Sequence, residues 1–353
     1  MSDSPVRFGF VGAGAISHFG ARALLKHPLG QLVAVQDVNA TRAAELCSAF
    51  QVAKAYASAE ELFADPEIDA VYIAVPNKYH VPLAIQALEA GKHVLLEKPF
   101  ALSAQEAETA VAAARRTGRV LSLGMNQRFI ETSQKFRTLV ADGAFGEIYH
   151  AKAYWQRRAG IPKLGTWFGS RDLAGGGCLY DIGVHVLDLC LFVMDNFEPA
   201  SVFGSTYGKF GHRGLGEGGW GKSDSSALPF EVEDFACGQI RMANGATVSL
   251  DVTWARHAEE NERLDIELFG TEAGGRIYGN KVFGRDAAFS NHYVLEDPKA
   301  AIAFPHLDRF HNFINHLMGI EPLCTTMEQA LTVQRILDAL AESSRTGRSV
   351  DLA

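Results

Sequence analysis

The strands predicted in the N-terminal part of the chain constrain its fold most. The runs AVYIAV from Ala70 and HVLL from His93 are apolar without a period of two, which is typical of strands covered on both faces of a sheet. The segment between them, Pro82 to Ala90, has proline near its start and glycine just after its end, as helices often do. Strands that alternate with helices in this way predict a doubly wound parallel sheet.

Length and charge limit the remaining possibilities. A chain of 353 residues exceeds what one hydrophobic core usually supports, so we expect two domains, over residues 1–125 and 126–353. The net charge is -8, and no basic run could neutralise a line of phosphates, which argues against nucleic acid as a partner. We find neither a signal peptide nor a run of apolar residues typical of a membrane span, and therefore expect a cytoplasmic protein with no membrane partner.

A glycine-rich turn follows the first β-type run. The sequence VRFGFV leads into Gly12, Ala13 and Gly14 (the glycine turn), and a helix-like segment follows. Such a turn lets the backbone approach a pyrophosphate, with amide donors supplied by the helix N-terminus. Ser17 stands at the third glycine position of the dinucleotide-binding fingerprint, so an ordinary strand-to-helix turn remains an alternative for this segment taken alone.

Three polar residues follow the ends of other predicted strands. Asp37 lies 23 residues after Gly14, where a carboxylate meets the ribose hydroxyls of adenosine and repels a ribose phosphate, which favours NAD over NADP. Asn77 and Lys98 end two further strands, and ligands of such sheets gather at the carboxyl ends of the strands. We therefore expect all three to share a crevice with the glycine turn, although a solvated loop lysine is an equally ordinary role for Lys98.

The stretch GGGCLYDIGVHVLD, residues 175–188, places acids and a histidine in an apolar helix-like run. Asp181 and His185 are four residues apart and share a helix face. The three glycines predict a close approach of this helix, for which the nicotinamide is a candidate. Two alternatives stay open: His185 is a core histidine bonded to Asp181 or Asp188, or the three residues hold a metal. Three ligands from one helix converge poorly, and the five cysteines form no CxxC pair and match no zinc spacing, so we predict no metal.

Taken together, these segments resemble the Gfo/Idh/MocA oxidoreductases, a family of nicotinamide-dependent sugar and polyol dehydrogenases. The matching segments occur in the family's order and span nearly the whole chain. They are GAGAIS from Gly12, AVPNKYH from Ala74, EKP from Glu97, NQRF from Asn126, GGGCLYDIGVH from Gly175 and TGRSVD from Thr346.

The resemblance implies an architecture and an assembly. It implies an α/β protein with an N-terminal Rossmann domain, a doubly wound parallel sheet, and a C-terminal α/β domain built on a large, mostly antiparallel open-faced sheet. It also implies a homodimer or homotetramer formed through that second sheet.

The resemblance further implies the functional residues. Lys98, Asp181 and His185 correspond to the catalytic residues, and the cofactor is NAD, with NADP less expected. The implied cofactor-binding residues are Gly12, Gly14, Ala15, Ile16, Asp37, Arg42, Pro76, Asn77, His80, Glu97, Lys98 and Asn126. The implied substrate is a carbohydrate or polyol, for which Lys98, Asp181, His185 and Arg128 are expected ligands.

Other candidate substrate ligands combine aromatic rings with arginines. Aromatic rings cover the C–H faces of a sugar, and arginines donate to its hydroxyls, although each aromatic residue could equally belong to a core. The candidates are Tyr154, Trp155, Arg157, Arg158, Trp167 and Trp220.

The second domain shows β-type alternation and one long glycine-dense segment. The predicted strands cover residues 148–154, 231–241, 247–254 and 264–269, and residues 327–340 predict an amphipathic helix. The segment Gly204 to Ser226 predicts a long loop, for which a lid, an oligomer arm and a plain surface excursion are all open.

The predicted activity is oxidation of a secondary ring hydroxyl of a sugar, glycoside, anhydrosugar or cyclitol to a ketone or lactone. His185 would take the hydroxyl proton, Lys98 would bind the same oxygen, and Asp181 would orient the histidine or the substrate. Two alternatives remain: a non-catalytic dinucleotide-binding sensor, and a redox-neutral glycoside-processing enzyme with tightly held NAD.

Overall fold

The computed structural model describes residues 4–220, 228–286, 291–302 and 306–352. The chain divides into two compact units. The N-terminal unit consists of Met1–Met125 and His306–Leu331, and the C-terminal unit of Asn126–Pro305 and Thr332–Ala353.

The N-terminal unit contains a six-stranded sheet in which all described pairs are parallel, as predicted. Its strands are β1 (Val6–Val11), β2 (Gly30–Gln36), β3 (Lys54–Tyr56), β4 (Ala70–Ile73), β5 (His93–Leu96) and β6 (Leu121–Leu123), in the order β3-β2-β1-β4-β5-β6. Its helices are α1 (Ala15–Leu24), α2 (Ala40–Phe50), α3 (Ala59–Ala64), α4 (His80–Glu89) and α5 (Ala104–Thr117), with a 3-10 turn at Asn77–Tyr79. The strand order reverses between β1 and β4, which is where such sheets bind ligands.

One helix of the N-terminal unit comes from far along the chain. The predicted limit after residue 125 agrees with the structure, but the predicted division lacks this second segment of the N-terminal unit. The sequence assigned residues 306–331 to the second domain, but helix α9 (Arg309–Leu317) packs in the core of the N-terminal unit. Phe310 and Phe313 of this helix lie against the Phe8 ring, with centroids 5.9 and 6.0 Å away. The helix belongs to this unit because packing here removes its large rings from water.

The C-terminal unit is built on a nine-stranded sheet. Its strands are β7 (Ile148–Arg157), β8 (Pro199–Tyr207), β9 (Phe235–Met242), β10 (Thr247–Thr253), β11 (Glu262–Gly270), β12 (Ala273–Arg276), β13 (Lys281–Arg285), β14 (His292–Glu296) and β15 (Val350–Asp351). Their order is β14-β13-β12-β11-β7-β10-β9-β8-β15, and β7 with β10 is the parallel pair among otherwise antiparallel described neighbours. The mostly antiparallel sheet is therefore confirmed.

The remaining helices are α6 (Glu131–Ala141), α7 (Arg171–Ala174), α8 (Val184–Met194) and α10 (Met327–Thr346). Helix α10 is longer than the predicted 327–340, and the predicted strand from residue 231 begins only at Phe235. The predicted loop from Gly204 was also too long, because residues 204–207 belong to β8; residues 221–227 lie outside the described part.

A single helical stretch of the described residues, 171–194, is long and apolar enough to cross a membrane by length and composition. Within its most apolar window, 89% is buried. A core helix has the same composition, and α8 is buried at every position except Phe192.

A buried ion pair ties α8 to the 3-10 turn Asn126–Phe129. Arg128 donates through Nε and Nη2 to the two carboxylate oxygens of Asp188, at 2.8 and 2.6 Å, and the two side chains are 0% and 1% exposed. The Arg128 guanidinium also lies over the rings of Phe192 and Phe197. The prediction that Arg128 donates to a substrate is therefore wrong, because the carboxylate of Asp188 occupies its donor fork.

We expect Arg128→Met to lower the free energy of unfolding by about 3–5 kcal/mol, because it leaves the Asp188 carboxylate buried without its cation. The double variant Arg128→Met, Asp188→Leu should recover most of that loss, since no charge then stays buried. Urea denaturation followed by circular dichroism measures both. Equal stability of the wild type and the single variant would contradict this role for the pair.

Candidate active site

The glycine turn is held tightly at the carboxyl end of β1. Gly12 has a φ of 93°, and a Cβ there would lie 2.2 Å from the carbonyl oxygen of Ala74, so only glycine fits. Ser17, which replaces the third fingerprint glycine, is fully buried and donates its hydroxyl to the Gly12 carbonyl at 2.6 Å. The serine therefore stabilises the turn that the fingerprint requires.

Asp37 joins the end of β2 to this turn. Its Oδ2 accepts a hydrogen bond from the backbone N–H of Ala13 at 2.7 Å, and its Oδ1 accepts from Asn39 N at 2.8 Å. Each carboxylate oxygen can accept a further bond, so this position can both hold the glycine turn and receive a ribose hydroxyl. The sequence predicted only the second role.

The start of α1 fits the phosphates of a dinucleotide. Gly14 is the N-cap and provides no side-chain cap, and a Cβ at Gly14 would meet nothing within 4 Å. Ala15 and Ile16 form the first turn, which contains no acidic residue. Uncapped amides and an open approach are what an anion at a helix N-terminus requires.

The other predicted residues of this unit follow β4 and β5, or begin α2. Pro76 and the buried Asn77 follow β4, and Lys98 follows β5, with a cis peptide bond to Pro99. Arg42 lies in the first turn of α2, where its N–H donates to the N-cap residue Asn39. The glycine turn, Asn77 and Lys98 thus lie at one edge of one sheet, as expected from the strand order.

His80 was predicted to contact the cofactor, but the structure contradicts this. The ring is 1% exposed, and its nitrogens lie 2.7 Å from the Pro99 carbonyl oxygen and 3.0 Å from that of Val75. Burial lowers the pKa of His80, and a neutral imidazole donates to one of these oxygens. His80 therefore lies between the loops that follow β4 and β5 and hydrogen-bonds one of them.

The side chain of Glu97, another predicted cofactor ligand, is held within the N-terminal unit. Its Oε1 accepts from the hydroxyl of Tyr72 at 2.5 Å and from Arg309 Nη2 at 2.7 Å. Its Oε2 accepts from the N–H of Lys98. The carboxylate points into the unit because two buried donors meet it there.

In the C-terminal unit, the glycines at residues 175–177 let the backbone lie close to another segment of the same chain. A Cβ on Gly177 would lie 1.9 Å from the carbonyl oxygen of Glu233. The Glu233 carboxylate accepts from the N–H groups of Gly177 and Leu179 at 2.7 and 3.1 Å. Burial raises the pKa of Glu233, while these amides act in the opposite direction. The glycines therefore allow the start of this helix to approach Glu233, which precedes β9.

Asp181 lies in a π-helical turn, Leu179–Gly183, that precedes α8. Such turns occur often at functional sites, and the sequence predicted an ordinary α-helix here. The Oδ2 of Asp181 accepts from the indole Nε1–H of Trp254 at 2.9 Å. Trp254 is fully buried at the end of β10, so its position fixes the orientation of Asp181.

His185 is 9% exposed and lies against Trp155, with ring centroids 6.0 Å apart. Trp155 donates its Nε1–H to Glu262 at 2.6 Å, and Arg157 donates to the same oxygen at 2.9 Å. The Arg157 guanidinium lies 4.5 Å above the Trp155 ring. Trp155 and Arg157, both predicted substrate ligands, thus form one cluster with Glu262 beside His185.

Tyr154 does not belong to this cluster. Successive side chains of a strand point to opposite faces, so Tyr154 projects from the face of the nine-stranded sheet opposite to Trp155 and His185. Its hydroxyl donates to Glu267 on β11 at 2.9 Å. The predicted substrate contact of Tyr154 is therefore wrong.

The remaining predicted ligands of this unit lie in loops and one turn. Trp167 stacks on Phe168 at 3.9 Å, and Trp220 meets Phe168 edge-on at 5.4 Å. Arg158 is exposed, and its guanidinium donates to the Glu259 carbonyl at 3.3 Å. Asn126 is exposed at the start of its 3-10 turn. These assignments stay predictions.

The glycine-dense segment is anchored by a second buried acid. Asp234 is 0% exposed and accepts from the backbone N–H groups of Lys209, Phe210 and Gly211. Sequence reasoning missed Glu233, Asp234 and Trp254. The one available signal was the pair of consecutive acids inside the strand predicted over residues 231–241, and it did not identify their partners.

The metal alternative loses a ligand, because both oxygens of Asp188 accept from Arg128. Within residues 4–220, 228–286, 291–302 and 306–352, no three His, Cys, Asp or Glu side chains are grouped to hold a metal ion. The alternative in which His185 is a core histidine bonded to Asp181 or Asp188 stays a prediction.

Family models match both parts of the chain. Residues 6–125 match the model described as an oxidoreductase family with an NAD-binding Rossmann fold. Residues 133–275 match the GFO/IDH/MocA C-terminal domain.

Individual proteins are similar over the full length. D-glucoside 3-dehydrogenase of Escherichia coli K12 is 30% identical, and the match covers 100% of this chain and 99% of that protein. A crystal structure of an NAD-binding protein from Listeria innocua has a TM-score of 0.80 at 26% identity, covering 99% and 97% of the two chains. Levoglucosan dehydrogenase in complex with NADH and levoglucosan shares the fold, with a TM-score of 0.83 at 22% identity and 99% coverage of both chains.

We expect Trp254→Phe to lower kcat/KM for the oxidation by roughly tenfold, because a hydrogen bond to a charged group contributes about 1.5–3 kcal/mol and Asp181 loses its orienting donor. The affinity for NAD should stay unchanged, which fluorescence titration checks. Tyr149→Phe, at an exposed ring of the same unit, is the control. Equal steady-state rates for the two variants would show that the indole N–H is not needed.

Proposed function

Because the chain belongs to the Gfo/Idh/MocA oxidoreductase family, we propose that it is an NAD-dependent dehydrogenase of sugars. The proposed reaction oxidises a secondary ring hydroxyl of a sugar, glycoside, anhydrosugar or cyclitol to a ketone or lactone. The observation that carries the proposal is the position of Lys98 after β5, at the sheet edge that also holds the glycine turn. The similarity of this chain to D-glucoside 3-dehydrogenase and to levoglucosan dehydrogenase supports the substrate class.

The chain's own residues supply the acid-base chemistry. When the substrate hydroxyl loses its proton, His185 takes it, since a histidine with an ordinary pKa near 6.5 is a suitable base at neutral pH. Lys98 binds the same oxygen and stabilises the charge that develops there. Asp181, held by Trp254, orients His185 or the substrate.

Bound NAD would accept the hydride from the carbinol carbon. The glycine turn and the first turn of α1 would hold its phosphates, and Asp37 would accept from the adenosine ribose. We propose NAD over NADP because the Asp37 carboxylate would repel a ribose phosphate.

The test is NADH formation by the purified protein with NAD, across inositols, free sugars, anhydrosugars and glycosides. We expect at least one substrate to give NADH, and NADP to support a lower rate. Lys98→Ala should lose about 10²- to 10⁴-fold in kcat, as expected for a lost acid-base or oxyanion contact. NAD affinity, measured by fluorescence titration, should change little.

Two results would contradict the dehydrogenase. Tight NAD binding without any turnover would favour the dinucleotide-binding sensor. Glycoside cleavage with catalytic NAD and no accumulating NADH would identify the redox-neutral enzyme. Normal turnover of Lys98→Ala would reject the role of Lys98 while leaving the activity itself established.

We further propose a homodimer or homotetramer that forms through the nine-stranded sheet. Residues directly opposite each other on neighbouring strands share a face, and their register places Phe203 and Val294 on the face opposite to Trp155. They are 52% and 59% exposed, and burial of such residues favours association.

Sedimentation velocity should therefore give a mass that is a multiple of the chain mass. The double variant Phe203→Asp, Val294→Asp should shift the protein to lower mass, because it places charges in the proposed interface. A monomeric wild type would rule out this assembly.

A further inference from the structure

Glu97, the residue that precedes Lys98, belongs to a buried polar cluster with Tyr72 and Arg309 in the N-terminal unit. Glu97 and Arg309 form an ion pair at 2.7 Å, with side chains only 9% and 13% exposed. Tyr72 is fully buried, donates its hydroxyl to the same Glu97 oxygen at 2.5 Å and lies 3.0 Å from Arg309 Nη2. Three elements, β4, the end of β5 and α9, therefore converge on one carboxylate.

This cluster restrains the backbone of Lys98. The second oxygen of Glu97 accepts from the N–H of Lys98 at 3.3 Å. On the other side, a Cβ at Gly124 would lie 3.1 Å from Glu97 Oε1, so glycine leaves the carboxylate just enough room. The next carbonyl, that of Pro99, lies 2.7 Å from His80 Nδ1. Lys98 is thus held at its own amide and at the residue that follows it.

The cluster also sets the charge next to the Lys98 ammonium. Arg309 pairs with Glu97 and offsets its negative charge next to Lys98. Burial lowers the pKa of Arg309, but the Glu97 charge and Tyr72 outweigh this and raise it above its ordinary value. Burial first, and then the Glu97 charge, raise the pKa of Tyr72 well above its ordinary value, so its hydroxyl remains a donor.

A purely structural role does not account for these residues well. Replacing a buried ion pair by apolar side chains of similar size often leaves a protein as stable or more so. A polar cluster placed directly before Lys98 is better explained by the precision that a reacting group requires.

We propose that Arg309 and Tyr72 are positioning residues for Lys98, which act by fixing the carboxylate of Glu97. The inference rests on the proposed function, in which Lys98 binds the hydroxyl oxygen. Neither side chain needs to touch the substrate or the cofactor for this role.

The test compares Arg309→Met, Arg309→Lys and Tyr72→Phe with the wild type. Arg309→Met should lower kcat by about 10²-fold, the order of loss expected when a reacting group is displaced by about 1 Å. NAD affinity should change by less than about threefold. Arg309→Lys should recover roughly tenfold of the loss, because it restores the charge but not the donor fork. Tyr72→Phe should lose about tenfold, since it removes one donor to Glu97.

Arg7→Met is the matched control. Arg7 forms an ion pair with Asp69 in the same unit, at 2.8 Å, with about a third of each side chain exposed. Its loss should leave kcat unchanged. If kcat of Arg309→Met equals that of the control, or if kcat and NAD affinity fall together in all three cluster variants, the proposal is overturned. Should Arg309→Met fail to fold, Tyr72→Phe and Arg309→Lys decide the outcome.

A second measurement needs no substrate and separates this proposal from the proposed function. Lys98 is acylated with acetic anhydride, and its modification rate is read by peptide mass spectrometry against the rate of Lys54 in the same sample. Without Arg309, the unpaired Glu97 should stabilise the Lys98 ammonium and slow its acylation about tenfold for each unit of pKa. An unchanged rate overturns the proposal even where no sugar is oxidised. Slower acylation of Lys98 in the variant without Arg309 supports the proposal, whether or not a sugar substrate has been found.

Discussion

A carboxylate that is buried away from water must be met by hydrogen-bond donors, because an unpaired buried charge costs several kcal/mol. This constraint shapes both units. The buried Glu233 is met by the start of the Asp181 helix, and the buried Asp234 by the start of the glycine-dense segment. The half-buried Asp37 is met in the same way by the amide of the glycine turn. In each case the donors are backbone groups of a segment that carries predicted function. The pairing of these acids therefore fixes the conformation of the segments that donate to them.

The type of donor decides what each acid does. Amide donors hold a carboxylate without adding a full charge, so Glu233 keeps a raised pKa from burial even with its amide partners. A guanidinium adds a full charge, and the pairs Arg128 with Asp188 and Arg309 with Glu97 are neutral as units. A carboxylate paired with a guanidinium has little electrostatic effect on neighbouring charged groups. This matters most for Glu97, because Lys98 is the next residue.

The sequence predicted the structures whose determinants are local. The parallel sheet, the glycine turn and the strand-end position of Lys98 follow from patterns within a few residues. Contacts between distant positions were not predictable: Glu97 and Arg309 are 212 residues apart, and Asp181 and Trp254 are 73 apart. Nothing near Glu97 in the sequence shows that its side chain turns inward, and β-type alternation near Tyr154 was not used to assign its face. The π-helical turn arises from packing, and no local pattern specifies it.

The surroundings of His185 suit a group that must be neutral to accept a proton. The Trp155 ring lies against His185, and its indole N–H donates to Glu262. Burial alone would raise the pKa of Glu262, but the hydrogen bonds from Trp155 and Arg157 outweigh it and lower that pKa. The acid therefore stays ionised and balances Arg157. Because the pair is neutral as a unit, it adds little net charge beside the ring that takes the hydroxyl proton in the proposed reaction.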